Sequence, residues 1–167
     1  MRYTAGMSTT DTNRVLGIYR KLEHLPLGKR LFAFMVCRKA PYFSTIKPRF
    51  HVYEPGRVVV SMRKRRAVEN HIRSIHALAM GNLCELAAGT LMEASVPTHM
   101  RWLPRGMHIE YLKPARSNIR AEAVLEKSSW PGKEDVEVPV RVTDAEGQEV
   151  VRARILMHVS PRPDSKA

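Results

Sequence analysis

Residues 75–92 read Ile-His-Ala-Leu-Ala-Met-Gly-Asn-Leu-Cys-Glu-Leu-Ala-Ala-Gly-Thr-Leu-Met. The run is helix-length, rich in Ala, Leu and Met, and apolar on nearly every side. A helix without a polar face is buried, so the rest of the chain has to wrap it. Glu85 is its only carboxylate and lies near the middle. Burying a lone carboxylate is costly, so such a group is paired, kept protonated or put to use. Two readings follow: a core ion pair with an arginine, or a functional site. Gly81, Glu85 and Gly89 recur at every fourth position and share one stripe, with Asn82 within reach of the acid. Each glycine costs a helix about 1 kcal/mol relative to alanine. Two of them beside an acid imply close approach by a ligand, a strand or a second copy of the helix.

The remaining pattern supplies the wrapping. Residues 1–12 are polar and read as a mobile N-terminus. Residues 13–39 read as two short helices broken at Leu25-Pro26-Leu27-Gly28, the second presenting Leu31, Phe32, Phe34, Met35 and Val36 to the core. Pro41 ends it. Phe50 to Met62 reads as a hairpin around Glu54-Pro55-Gly56. Ser74 is a candidate cap for the long helix. Two strands are then expected on either side of Pro104-Arg105-Gly106. Further strands follow at Ile119–Leu125, Val136–Val142 and Val150–Val159, with Pro139 pointing to an edge or bulge. Residues 161–167 form a polar tail. One helix and some six strands predict an α+β fold, an antiparallel sheet wrapped around one long central helix, with two short N-terminal helices.

Composition narrows the functional classes. At 167 residues and 44% hydrophobic content the chain suits one domain, residues 13–160, with a substantial core. No apolar run reaches membrane-spanning length, and the start lacks a signal-peptide core. Cys37 and Cys84 have no CxxC spacing and read as reduced, buried thiols of a cytoplasmic protein. The histidines form no ligand motif with them, so no metal and no cofactor are expected. The net charge of +12 suits nucleic acid, an anionic membrane or a phosphate-bearing small molecule. No nucleic-acid-binding motif is present and aromatics are only 7%, which leaves few stacking platforms. The dense run Arg63-Lys64-Arg65-Arg66 is either a solvated surface or an anion site.

The element order, together with Asn70-x5-His76-x8-Glu85, resembles the hotdog-fold acyl-CoA thioesterases, closest to the phenylacetate-pathway type. Met107-His108-Ile109-Glu110-Tyr111-Leu112-Lys113-Pro114-Ala115 is similar to that family's strand ending Tyr-x-x-Pro-Ala. The resemblance covers residues 46 to 160. The N-terminal helices resemble the extension of a poorly characterised hotdog branch. In the family a His-Gly-Gly stands where this chain has His76-Ala77-Leu78, and a loop glycine stands at Arg73.

The resemblance implies hydrolysis of acyl-CoA-type thioesters. The alternative is a non-catalytic acyl or CoA binder on the same fold. A hydratase is disfavoured because no Asp-x4-His motif occurs. Glu85 would act as general base or nucleophile, and the backbone N–H of Ala77 would serve as oxyanion donor at the helix N-terminus. Asn70 would orient water or carbonyl, and His76 would touch substrate or brace the loop. His71 is taken as structural and Cys84 as core. Asn82 would hold Glu85, and Gly81 would admit the substrate. Arg63, Arg65, Arg66, Lys113 and Arg116 would grip phosphates. The same charge suits acidic acyl carrier protein as well as CoA. The fold implies a homodimer, or a tetramer of dimers, with the pocket shared between protomers.

Overall fold

The computed structural model of the protein describes residues 13–163. The expected mobile N-terminus and most of the polar tail lie outside that range. The elements run α1 (Arg14–Leu22), α2 (Gly28–Lys39), a 3-10 turn (Pro41–Ile46), β1 (Arg49–Glu54), β2 (Arg57–Met62), α3 (Ala77–Ser95), β3 (Met100–Tyr111), β4 (Ile119–Val124), β5 (Glu134–Thr143) and β6 (Glu149–Pro161). All six strands join one sheet of order β1-β2-β4-β5-β6-β3, antiparallel throughout. It wraps α3, twelve of whose nineteen residues are buried. The α+β wrapped-helix fold expected from the sequence is therefore the one observed.

The strand signals translate directly. In β5, Val136, Val138, Val140 and Val142 face the core while the residues between them are exposed, the period-two pattern of a sheet with one solvated face. Pro139 is tolerated because the pairing of β4 with β5 stops at Ala123–Val140, leaving β5 a partner on one side only there. Gly56 turns the β1–β2 hairpin at φ +80°, a conformation that suits glycine.

Pro104-Arg105-Gly106 behaves differently from the expectation. It is not a turn between two strands but a bulge inside one, β3, which pairs with β6 from Met100 to Tyr111. The long partner strand holds both halves in register, and Pro104 is accommodated because β3 is an edge. The extra residue has a consequence for facing. Inward positions switch from even to odd numbers across it, so Trp102 before the bulge and Ile109 after it both meet α3. Trp102 stands 3.1 Å from where a Cβ on Gly89 would be, and Ile109 stands 3.2 Å from one on Gly81. Of the three approaches that the glycine stripe left open, the occupant is a strand.

The N-terminal helices are built into the core. Tyr19, Phe32, Phe50 and Tyr53 pack edge-to-face and tilted, with neighbouring ring centroids 5.0–6.1 Å apart, tying α1 and α2 to β1. Gly28 is required where the two helices meet, since a Cβ there would lie 1.7 Å from the Leu22 carbonyl oxygen. Of the five α2 residues expected in the core, only Phe32 is fully buried. Val36 is half-buried, while Leu31, Phe34 and Met35 are exposed, because only one flank of α2 meets β1.

Two substitutions separate glycines kept for space from one that is not. Gly89→Val should cost about 1–3 kcal/mol by driving its methyls into Trp102. Gly17 lies mid-α1 with nothing among the described residues within 4 Å of an added Cβ. Gly17→Ala should therefore stabilise by about 0.5–1 kcal/mol. Urea unfolding of both variants checks the opposite signs.

Candidate functional site

Glu85 lies where the β3 bulge faces α3, between the contacts at Gly81 and Gly89. Its half-buried side chain opens into a cavity of about 550 Å³ between α1, α2, α3 and β3. Among the described residues no hydrogen bond or ion pair engages its carboxylate, so the core ion-pair reading does not hold. The cavity is mostly apolar, with Ile18, Phe32, Val36, Tyr53 and Trp102 among its walls. Glu93, two turns further along the same stripe, also lines it, and accepts a hydrogen bond from Trp102 Nε1 at 3.2 Å. Among the described residues the buried Tyr53 hydroxyl has no hydrogen-bond partner. Burial first, and then the Glu93 charge, push its ionisation well above the usual tyrosine range.

The loop before α3 is held by its own side chains. Asn70 Oδ1 accepts from the N–H groups of Ile72 and Ser74, both at 3.1 Å, and its Nδ2 donates to Ser74 Oγ at 2.8 Å. Its amide is thus engaged in the loop, where it does not reach Glu85. The helix cap is His76 rather than Ser74: its Nδ1 accepts from the Leu78 N–H at 3.1 Å, while Ser74 is buried in the loop. The Tyr111-x-x-Pro114-Ala115 segment clamps the same end. The Tyr111 hydroxyl donates to the Ala77 carbonyl at 3.2 Å, and the Ala115 carbonyl accepts from Ile75 N–H at 2.8 Å. Ala77 is the first residue of α3, a position whose N–H has no acceptor within its own helix.

Asn82 does not hold Glu85 either. Its Nδ2 donates to Thr45 Oγ1 at 3.1 Å across to the 3-10 turn, and its buried Oδ1 has no partner among the described residues. Gly81 is covered by Ile109 and offers no opening to a substrate. Cys84 is fully buried, and burial pushes its thiol up to about 12. It stays a neutral core thiol at ordinary pH. Cys37 is only half-buried.

The basic residues divide. Lys64, Arg66, His71 and Arg73 line an open hollow of about 750 Å³ beside the start of α3, with Glu69 and Asn70. Lys64 is paired with Glu69 there at 2.7 Å. Arg63 and Arg116 are exposed outside it, Arg65 donates to the Thr45 carbonyl, and Lys113 bonds Gln148. Arg73 was absent from the phosphate-gripping set expected from sequence. Its backbone is left-handed at φ 60°, which explains why a glycine suits that loop position. Among the described residues no three His, Cys, Asp or Glu side chains cluster as a metal site would need.

Ala77 and Glu85 are eight residues apart on one helix, about 12 Å along its axis. One carbonyl cannot touch both groups of a single chain. The role of His76 is checked by substitution. His76→Ala should lower stability by about 1 kcal/mol through loss of the cap, and His76→Asn should recover most of it. Thermal unfolding reads this, whereas an imidazole that contacts substrate would leave kcat/KM low in both variants.

Solved structures and sequence families place this architecture. No curated protein matches the chain. A crystal structure described as that of genomics APC5556 is 38% identical, covering 89% of this chain and 98% of its own, with a TM-score of 0.78. A Pseudomonas aeruginosa protein of unknown function, described as a probable thioesterase, is 27% identical over 83% of this chain and 99% of its own, at TM-score 0.72. A Haemophilus influenzae thioesterase shares the fold at 11% identity, 80% and 91% coverage and TM-score 0.67. The fold is that of the hotdog thioesterases. Residues 28–159 match the family described as Domain of unknown function (DUF4442), a span that takes in α2 as well as the sheet and α3, and the chain belongs to that family.

Proposed function

We propose that the protein is a cytoplasmic hydrolase of acyl thioesters, acting on acyl-CoA at a site composed from two copies of the chain. The observation that carries this reading is Glu85, a carboxylate unpaired among the described residues that opens into an apolar cavity on a mostly buried helix. The thioesterase relatives support it at the level of the family. Glu85 takes a proton from water, whose oxygen attacks the thioester carbonyl carbon. The oxyanion that forms accepts a hydrogen bond from an Ala77 N–H at the positive end of α3. As the carbonyl reforms, the C–S bond breaks, and the thiolate takes the proton from Glu85. The products are a carboxylic acid and a thiol.

The 12 Å between Ala77 and Glu85 is the reason for two copies. Glu85 would come from one protomer and the helix N-terminus from the other. The glycine stripe, being covered by β3, offers no helix–helix contact. An uncovered surface next to Glu85 is β3 itself, one of the two sheet edges, with Leu103, Met107 and Tyr111 exposed. An unpaired apolar edge favours pairing with a second copy of itself. Lys64, Arg66 and Arg73 would take the CoA phosphates. The same hollow would receive an acidic acyl carrier protein.

Two variants test the composite site. Glu85→Gln should lower kcat by about 10²–10⁴ with the fold intact. Ala77→Pro removes the donor at the one helical position where proline is tolerated, and His76 already has the extended backbone that precedes proline. Mixing the two inactive proteins should restore roughly a quarter of wild-type activity, because half the exchanged dimers hold one intact site. No recovery on mixing refutes the shared site, and a fully active Glu85→Gln protein refutes the base. A wild type that binds acyl-CoA but turns over no thioester would make this a binding protein.

Arg73 supplies a separate check with opposing signs. Arg73→Gly should stabilise by about 1 kcal/mol by relieving the left-handed backbone. It should also raise KM for acyl-CoA more than for an acyl thioester lacking the nucleotide. Equal KM changes for both substrates would assign the basic hollow to solvated surface.

A further inference from the structure

The 550 Å³ cavity has one wall that no hotdog sheet supplies: Val15 and Ile18 of α1, and Phe32 and Val36 of α2. We propose that this is the seat of a medium-length fatty acyl chain of about ten carbons, with α1 and α2 as its roof. The proposal rests on the reading of Glu85 as the reacting end.

The length follows from the two carboxylates on α3. Glu85 and Glu93 both line the cavity and are eight residues apart, about 12 Å along the helix axis. An extended chain advances about 1.2 Å per bond, so roughly ten carbons separate the two acids. Beyond Glu93 the surroundings change. Asn13, Thr98 and Arg162 join Arg14, Lys39 and Glu93, which both hollows share, to line a more polar hollow of about 210 Å³ that continues from the apolar one and also has apolar residues in its walls. The Asn13 side-chain amide donates to the Glu93 carbonyl, and the Glu93 carboxylate is held by Trp102. A hydrocarbon pushed further would strip water from these groups without replacing its hydrogen bonds. The chain therefore ends where the polar hollow begins.

The width and chemistry agree with this. The volume lies within the range of small-ligand pockets, and a chain of only two carbons would leave most of it empty. Apart from the two acids, the walls are apolar except for Arg14, Lys39, Thr90 and the Tyr53 hydroxyl, so recognition along the chain comes mainly from burial of methylenes.

The test measures binding without turnover, using S-alkyl-CoA thioethers of increasing length, which carry no scissile carbonyl. Kd for the full-length protein should fall about fourfold per methylene up to about ten carbons and then level off. Val36→Trp and Ile18→Phe each fill the roof, and each should move the levelling-off to shorter chains and narrow the ratio of short-chain to long-chain Kd. Ile18→Phe, from the other helix, decides the matter if Val36→Trp does not fold. A Kd independent of chain length overturns the proposal, as does a levelling-off that stays in place in a folded variant. A protein that shows this binding profile yet hydrolyses no thioester refutes the hydrolase reading and leaves the chain site standing.

Discussion

The contact between α3 and β3 sets the geometry of everything else in this protein. Gly81 and Gly89 remove side chains at two points on one stripe of the helix, and Ile109 and Trp102 occupy the space. Both can do so only because the bulge at Pro104 and Gly106 resets which residues of β3 face inward. Between the two contacts the strand does not press on the helix. That gap is where Glu85 points and where the cavity opens. A continuous strand without the bulge would turn either Trp102 or Ile109 to solvent and break one of the two contacts.

The same arrangement explains how a carboxylate is tolerated in so apolar a helix. Glu85 is half-buried rather than enclosed, and the cavity gives it access to solvent or ligand instead of a counter-ion. Cys84, its neighbour, lies about 100° round the helix in a fully buried position, with its thiol pushed up to about 12. Two adjacent residues thus have opposite chemical fates, decided by which side of α3 the sheet covers.

The start of α3 is engineered by local hydrogen bonds rather than by burial. Asn70 spends its amide on the loop, and His76 spends its Nδ1 on the helix cap. Tyr111 and Ala115 fasten the first turn from the strand side. In the family-like spacing of Asn70, His76 and Glu85, the first two thus also carry hydrogen bonds that hold the start of α3. Asn70 and His76 build the N-terminus of α3, and Glu85 is displaced along it by two turns. This separation is the physical basis for proposing a site shared by two copies.

Much of this was legible in the chain alone. An all-round apolar helix has to be wrapped, and alternating strands such as β5 can only be the wrapping. The period of hydrophobic residues carries both facts, and Glu85 stands out as the one acid within the apolar run, while the structure extends the same helix to take in Glu93 as well. Tertiary structure alone decided the rest. Pro104-Arg105-Gly106 has the local chemistry of a turn, and only the long pairing with β6 makes it a bulge. Asn82 lies within reach of Glu85 along the helix, yet the 3-10 turn, distant in sequence, draws it away. The roof of the cavity comes from α1 and α2, whose apolar residues look alike in sequence. Which of them line a cavity, which are buried and which face solvent depends on how the helices dock on β1. Periodicity reports that a face is apolar; it carries no information about what lies against it.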